Sequence, residues 1–175
     1  VEPPKEAYEW TVNPVDAPNQ PTYLEINFER GIPLSINGEK MPLPNLIAKI
    51  NRIGGENGVG RVDMVENRLV GIKSREIYEC PGALILLNAY QALESLVLPG
   101  DVSHFKQLVS QKYAELTYNG LWFSALKEAL DGFVGVIKEQ VNGTVKIKLL
   151  KGQCIIVGRK SENSLCTIGR RIHTA

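Results

Sequence analysis

The apolar residues of this 175-residue chain recur in patterns that predict an α+β fold, with antiparallel hairpins packed against several amphipathic helices. Residues 23–36 and 145–157 alternate apolar and polar side chains, and a period of two is typical of half-buried strands. Between them, apolar residues recur at every third or fourth position, which is the helical period. Because strands and helices come in blocks, an α+β layout is favoured over a doubly wound parallel sheet.

Residues 1–22 are predicted to form an extended, proline-rich lead-in that lies along the rest of the domain. Its prolines are Pro3, Pro4, Pro14, Pro18 and Pro21. Proline lacks the backbone donor that a helix needs, so a helix is excluded here. The chain starts at Val1 with neither an initiator methionine nor a signal-peptide pattern, and we therefore expect it to be a portion of a longer protein.

The first hairpin is predicted at residues 23–36, where strands 23–28 and 32–36 flank a turn at 29–31. Asn37-Gly38 is a strong signal for the next turn. Pro33 places the returning strand at a sheet edge, since proline cannot donate to a β-ladder. A second hairpin closes the chain, with Lys151-Gly152 as its turn.

Four helices are predicted in between. The first begins at Pro44 and is expected to end at Gly54-Gly55, because a left-handed C-terminal residue carries no penalty without a Cβ. Pro81 opens the second and Pro99-Gly100 stops it. Asp101 or Ser103 is expected to cap the third. The apolar stripes of the last three helices are predicted to be Leu86, Leu87, Tyr90, Leu93 and Val97; Phe105, Leu108, Val109 and Leu116; and Phe123, Leu126, Leu130, Phe133, Val134 and Ile137.

Composition excludes several classes of protein. The length gives room for one domain with a real core, and 43% hydrophobic residues are ordinary for a globular protein. A net charge of +1 argues against nucleic acid or an anionic membrane as the main partner. The longest apolar run, residues 83–98, is broken by polar residues and is too short to cross a bilayer.

The cysteines and histidines indicate neither a disulfide framework nor a metal site. Cys80, Cys154 and Cys166 are odd in number and widely spaced, which is typical of reduced thiols in a cytoplasmic protein. His104 and His173 are isolated from each other and from any cysteine pair, so we expect no metal to be bound.

Glu66 is the first candidate site residue. It shares a face with Val62 and Met64 on the first strand of a predicted pair, residues 61–66 and 69–78, where a core residue would be expected. Burying an unpaired carboxylate costs several kcal/mol, so Glu66 either lines a cleft or is paired. The simpler alternative is a strand-end glutamate that faces solvent or is held by an arginine, with Arg61, Arg68 and Arg75 as the candidates.

Tyr78 is the second candidate. It lies near the end of the paired strand, just before a helix start, where its hydroxyl could meet a polar ligand. The alternative is a strand tyrosine that only packs its ring.

The glycine-rich segment 54–60 lacks the Lys-Ser/Thr ending of a phosphate loop and is interpreted as a turn. A basic cluster is interpreted as a solvated hairpin face and comprises Lys146, Lys148, Lys151, Arg159 and Lys160.

Residues 58–82 read GVGRVDMVENRLVGIKSREIYECPG and closely resemble a segment of the argininosuccinate synthase family. The likeness runs from residue 1 to about Leu165 and includes EPPKEAYEWT, FERGIPLSINGE, FKQLVSQKYAELTYNGLWFS and NGTVKIKLLKGQCIIVGRKS. It is specific to the C-terminal portion of that family. The resemblance implies a catalytic and multimerisation domain at 23–165, preceded by the lead-in 1–22 and followed by a divergent, truncated tail at 166–175.

The resemblance also implies a function. This family of C–N ligases condenses citrulline with aspartate at the expense of ATP, in arginine biosynthesis and the urea cycle, and it forms homotetramers. Its VEN glutamate and IYE tyrosine contact citrulline, and they match Glu66 and Tyr78. ATP with magnesium and aspartate are held by an N-terminal domain that this sequence lacks. The chain alone is therefore expected to contain no catalytic, cofactor-binding or metal-binding residue and to be inactive.

Two other functions stay open. The chain could be a non-catalytic oligomerisation or ligand-binding module, if its long apolar helices leave exposed stripes. A nucleic-acid binder would rest on the basic hairpin alone, with neither interleaved exposed aromatics nor a net positive charge to support it.

Overall fold

An antiparallel sheet of five strands lies at the centre of the structure, a computed structural model that describes residues 1–166. The strands of the described part are β1 Thr22–Glu29, β2 Ile32–Ile36, β3 Glu39–Lys40, β4 Arg61–Asn67, β5 Lys73–Glu79, β6 Gly143–Leu150 and β7 Gln153–Lys160. The helices are α1 Leu43–Glu56, α2 Pro81–Val97, α3 Gly100–Tyr118 and α4 Ala125–Lys138. The sheet has the order β3-β2-β1-β6-β7, and β4 and β5 form a separate two-stranded ribbon. The predicted α+β class is confirmed.

Three tight turns join the strands of the central sheet. Each places two consecutive residues at positive φ: Arg30 and Gly31 at 48° and 74°, Asn37 and Gly38 at 52° and 82°, and Lys151 and Gly152 at 49° and 79°. Two left-handed residues in succession are the mark of the hairpin turns that match strand twist, so the predicted hairpins are confirmed.

The position of Pro33 differs in part from the prediction. The returning strand β2 lies between β1 and β3, and Ser35 and Ile36 pair with β3. Because β3 has only two residues, it ends before it reaches Pro33. Pro33 therefore has no β3 residue opposite it, and its missing N–H costs no hydrogen bond to β3.

The core is built from the apolar faces of β1 and β6 packed against α1 and α2. Leu24 pairs with Ile147 and Ile26 with Val145 across the two strands, and all four side chains are fully buried. Helix α2 covers them with Ile85, Ala89, Leu93 and Val97. The alternation of apolar and polar residues that predicted β1 and β6 therefore matches the alternation of buried and more exposed side chains along them.

The predicted end of the first helix is wrong. Helix α1 continues through Gly54 and Gly55 to Glu56, and the left-handed residue that turns the chain is Gly58 at φ 72°. The two glycines serve close packing instead. A Cβ on Gly54 would lie 2.8 Å from side-chain atoms of Ile85 and Pro81, and one on Gly55 would overlap the carbonyl oxygen of Trp10.

The predicted start of the third helix and the three predicted stripes also differ from the structure. Pro99, rather than Asp101 or Ser103, takes the N-cap position of α3. Phe105 and Leu108 are more than half exposed, and Phe123 precedes α4 and is almost fully exposed. Phe105 packs edge-to-face on Phe133 of α4 at 5.3 Å, and the rest of its surface stays, with Leu108, on the outside of the α3–α4 pair. On α2, Leu87 is likewise exposed although the stripe prediction placed it inward.

The second strand of the ribbon begins later than predicted. Residues 69–72 form the turn, closed by the Arg68 N–H that donates to the Ile72 carbonyl at 2.9 Å, and β5 starts at Lys73. Met64 and Val65 are both exposed although they point to opposite faces of β4. The expectation that Glu66 lies in line with core residues is therefore wrong, because the ribbon extends away from the central sheet.

The lead-in is held along the body by polar contacts. The Glu79 carboxylate accepts hydrogen bonds from the backbone N–H groups of Glu9, Trp10 and Thr11 and from the Thr11 hydroxyl. Arg61 donates to the Thr11 carbonyl at 2.9 Å. No helix within residues 1–166 is long and apolar enough to cross a membrane.

Candidate functional site

Glu66 lies at the end of β4 in the most elaborate polar cluster of the ribbon. Its side chain is only 12% exposed. The Tyr78 hydroxyl donates to Oε1 of Glu66, and the Tyr118 hydroxyl donates to Oε2 at 3.3 Å. The guanidinium Nη1 of Arg68 lies 3.4 Å from the same Oε2. Both sequence-predicted site residues are thus in direct contact.

The register of the ribbon explains why Glu66 and Tyr78 meet. Glu66 lies opposite Ser74, and Tyr78 opposite Val62. Because side chains alternate between faces with a period of two, Ser74, Tyr78 and Glu66 all lie on one face of the ribbon. The long tyrosine ring then reaches along this face to the carboxylate.

Arg68 supplies the positive charge of the cluster. It donates to the Ser74 hydroxyl at 2.7 Å and to the Glu76 carboxylate. The hydrogen bond to Glu76 raises the pKa of Arg68, and the hydrogen bond from Arg68 lowers the pKa of Glu76, so both groups are charged at neutral pH. Glu66 therefore lies at a strand end beside an arginine, as the simpler sequence interpretation allowed, and it also contacts two tyrosines.

The other two candidate arginines serve different contacts. Arg75 pairs with Asp63 on the opposite face of the ribbon, at 2.5 Å. Arg61 binds Thr11 and stacks on the Tyr8 ring, with its guanidinium carbon 3.7 Å from the ring centroid.

Tyr118 was not identified from the sequence. It comes from the last turn of α3, and Asn119 and the left-handed Gly120 end the helix immediately after it. It is separated from Glu66 by 52 positions, so no strand or helix period links the two. It lies outside the apolar stripe predicted for α3, and no pattern in the sequence marked it as a site residue.

The arrangement is suited to binding a polar ligand rich in N–H groups. The carboxylate accepts hydrogen bonds, and each phenol can donate and accept. The hydrogen bond to Glu66 raises the pKa of Tyr78, which keeps its hydroxyl protonated at neutral pH. Tyr78 and Tyr118 are 41% and 48% exposed, so a ligand can reach the cluster from solvent.

The glycine-rich segment does not fit a phosphate-binding role. A Cβ on Gly58 would lie 3.0 Å from the Val12 carbonyl oxygen, and one on Gly60 would overlap the backbone of Pro81. The chain itself fills the space in front of this backbone, so the segment offers no open cradle for the phosphates of ATP. Within residues 1–166 no group of three or more His, Cys, Asp and Glu side chains could hold a metal ion.

The basic cluster is partly used for internal contacts. Lys151 donates to the carbonyl oxygens of Val15 and Ala17, at 3.0 and 2.5 Å, and Arg159 donates to that of Ala92 at 3.0 Å. These contacts hold the lead-in and α2 against the last hairpin. Lys151 and Arg159 therefore stabilise the fold.

Comparisons with known proteins point to one family. The family model described as the arginosuccinate synthase C-terminal domain matches residues 1–169. The argininosuccinate synthases of Symbiobacterium thermophilum and Trichodesmium erythraeum are 56% and 54% identical to this chain over 164 and 165 residues. That of Oceanobacillus iheyensis is 55% identical over 164 residues. Each alignment covers 94% of this chain but only 41%, 41% and 39% of the respective relative.

The chain thus spans about two fifths of the length of these curated relatives. The match extends across the lead-in, the central sheet, the ribbon and helices α1 to α4. On this basis the chain belongs to the argininosuccinate synthase family and corresponds to its C-terminal domain.

Proposed function

We propose that this chain supplies the citrulline contacts and part of the subunit assembly surface of an argininosuccinate synthase. The observation that carries the proposal is the hydrogen bond between Tyr78, which is 41% exposed, and Glu66, on one face of the ribbon in a member of this family. In the complete cytoplasmic enzyme the chain would form one wall of the citrulline pocket for the ligase reaction of arginine biosynthesis.

The chemistry of citrulline fits this cluster. Citrulline carries an α-ammonium group and ureido N–H groups, all of them donors, and a carboxylate and a phenolic oxygen can accept from them. Hydrogen bonds with one charged partner are about twice as strong as neutral ones, so Glu66 would contribute the larger share of the affinity. Tyr78 would orient the ligand, since its hydroxyl can donate to one group and accept from another.

The remaining substrates would be bound outside these 175 residues. ATP with magnesium, which activates the ureido group in this family, and aspartate would be held by the portion of the relatives that this chain does not match. The packed glycine segment supports this division, since it leaves no cradle for phosphate. We therefore expect the isolated chain to show no turnover with ATP, citrulline and aspartate.

The proposal predicts a composite citrulline site that depends on Glu66. Isothermal titration of citrulline is performed on the chain alone and on the chain mixed with the N-terminal portion of the Symbiobacterium thermophilum relative plus ATP. We expect weak or undetectable binding alone and saturable binding in the mixture, because half of the partners are missing from the chain. Glu66→Ala should weaken this binding about tenfold or more, as expected for a lost charge-assisted contact.

The matched control is Asp63→Ala, which removes a carboxylate from the opposite face of the same strand. It should leave citrulline binding unchanged. If the two portions associate but Glu66→Ala binds citrulline as tightly as the wild type, the assignment of Glu66 is wrong.

A role in assembly is supported by the apolar surface of α3. Phe105 and Leu108 lie one turn apart on this helix and are 55% and 63% exposed. Large exposed apolar side chains in neighbouring positions are typical of an interaction surface. We propose that this part of α3 contacts another subunit in a homo-oligomer, which is a tetramer in the family.

A further inference from the structure

Tyr118 joins the Glu66 cluster from a different element than the other members. Glu66, Arg68 and Tyr78 all belong to the ribbon, whereas Tyr118 ends α3. Its hydroxyl donates to Oε2 of Glu66 at 3.3 Å, and Nη1 of Arg68 lies 3.4 Å from the same oxygen. Tyr118 is therefore the link between the helical pair and the candidate site.

The two oxygens of Glu66 have different partners. Oε2 faces Tyr118 and Arg68, at 3.3 and 3.4 Å, whereas Oε1 is shared with the Tyr78 hydroxyl. A carboxylate with one oxygen fixed in this way has little freedom to rotate, and its second oxygen points in one direction. Such support of a binding group by a neighbouring hydrogen bond is what holds a site in its productive geometry.

We propose that Tyr118 is a positioning residue, which fixes Oε2 of Glu66 so that Oε1 and the Tyr78 hydroxyl face citrulline. The inference rests on the proposed function, because it takes citrulline as the ligand of this cluster. The hydroxyl of Tyr118, rather than its ring, performs this role. Loss of the hydroxyl removes one of the three contacts that orient the carboxylate, leaves Arg68 and Tyr78 in place, and lowers affinity without altering the fold.

A purely structural role for Tyr118 makes a different prediction. If the side chain only held α3 against the ribbon, its ring would supply most of the effect, and Tyr118→Phe would behave as the wild type. The positioning role instead requires Tyr118→Phe to act, and to act only while Glu66 is present. A double-mutant cycle separates these two cases.

The test uses a chimera in which this chain replaces the matching C-terminal segment of the Symbiobacterium thermophilum relative. Citrulline affinity is measured by titration, and KM and kcat by steady-state kinetics, for Tyr118→Phe, Glu66→Ala and the double variant. We expect Tyr118→Phe to raise the citrulline Kd and KM about three- to tenfold, the effect of one lost hydrogen bond, with kcat and the KM for aspartate little changed. In the Glu66→Ala background the same substitution should have no further effect.

Tyr113→Phe is the matched control, since it removes a hydroxyl from the same helix that binds Asp131 at 2.9 Å and lies outside the Glu66 cluster. It should leave citrulline affinity unchanged. A second measurement needs neither citrulline nor the chimera. In the 175-residue chain labelled with ¹³C-tyrosine, Tyr118→Phe should shift the Cζ resonance of Tyr78, and Tyr113→Phe should not.

The outcomes distinguish the two proposals. Weakened citrulline binding in Glu66→Ala but not in Tyr118→Phe would overturn the positioning role and leave the proposed function intact. The positioning role would also be overturned if Tyr118→Phe weakened citrulline binding by the same factor in the Glu66→Ala background as in the wild type. Tyr118 would then act without Glu66. Unchanged citrulline binding in Glu66→Ala would overturn the proposed function. It would also overturn the positioning role of Tyr118, even if the Tyr78 resonance shifts, because Glu66 would then not bind citrulline.

Discussion

At the residue scale, Glu79 shows how one side chain can order a segment that has almost no regular structure. Its carboxylate accepts from the backbone of Glu9 and Thr11 at 2.7 Å each, and from the Thr11 hydroxyl at 2.6 Å. Partial burial disfavours its charge, but these hydrogen bonds outweigh that effect and lower the pKa of Glu79 below its usual 4.5. The ionised form is thus stabilised in the folded protein.

We predict that Glu79→Gln lowers the free energy of unfolding by about 1–2 kcal/mol at neutral pH, since the hydrogen bonds to a charged acceptor are lost. The effect depends on pH. Because the folded-state pKa of Glu79 is lowered, the unfolded chain binds more protons as pH falls below the usual value, and the stabilisation is lost through the folded pKa. Urea denaturation of both proteins at about pH 7 and about pH 3.5 checks this, with the difference expected to shrink at the lower pH.

Glu56→Gln is a suitable control, because its ion pair with Arg52 at 3.3 Å is exposed on α1. Surface pairs of this kind contribute little, so its stability should be close to that of the wild type. An equal difference between Glu79→Gln and wild type at both pH values would contradict the assignment.

The candidate site shows which residue contacts could be predicted from the sequence. Glu66 was identified because a carboxylate on an apolar-looking strand needs a partner, and Tyr78 came from its place before a helix start and from family resemblance. Their contact was not predicted, because it depends on the observed antiparallel register, in which residues 69–72 form the turn and β5 begins at Lys73. Tyr118 could not be predicted, because the end of α3 meets the ribbon only through the tertiary arrangement.

At the scale of elements, the strands of the central sheet were predictable and the helix ends were not. The apolar residues of the alternating pattern in β1 and β6 are the buried ones, since Leu24 and Ile147 face the same core. Gly54 and Gly55 were misread as a helix stop because glycine also occurs where two backbones come close. The contact with Trp10 that requires glycine involves a segment more than 40 positions away, and no local pattern records it.

These glycines give a paired prediction. Gly55→Ala places a methyl group against the Trp10 carbonyl and should lower the free energy of unfolding by about 2–3 kcal/mol, as overpacking does. Gly132→Ala lies inside α4, where the added methyl meets no described atom within 4 Å, and should stabilise the protein by about 0.5–1 kcal/mol through helix propensity. Thermal unfolding of the two variants should therefore shift in opposite directions. A Gly55→Ala variant as stable as the wild type would show that the lead-in can move away without cost.

At the scale of the whole molecule, α3 and α4 have apolar surface left over after the domain has formed. The exposure of Phe105 and Leu108 contradicts a stripe that faces this domain's own core, and it supports a surface for another subunit. We predict that the chain self-associates and that Leu108→Lys shifts sedimentation toward smaller species, because a charge at this position would be buried in the contact.

Ala114→Lys adds the same charge to α3 at an exposed position about 120° around the helix. It should leave the sedimentation profile unchanged. A wild-type chain that sediments as a monomer at all concentrations, or two variants with the same profile, would contradict the assembly role of this part of α3.

The strand order has a consequence for synthesis on the ribosome. The central pair of the sheet joins β1 to β6, so that Thr22 lies opposite Leu149 and the intervening chain of ribbon and helices is made in between. During translation β1 pairs early with β2, yet its second neighbour, β6, follows only after more than a hundred further residues. Such delayed pairing slows folding and prolongs the exposure of an unpaired strand edge. The nascent domain is therefore most prone to aggregation between the completion of β2 and the release of the last hairpin.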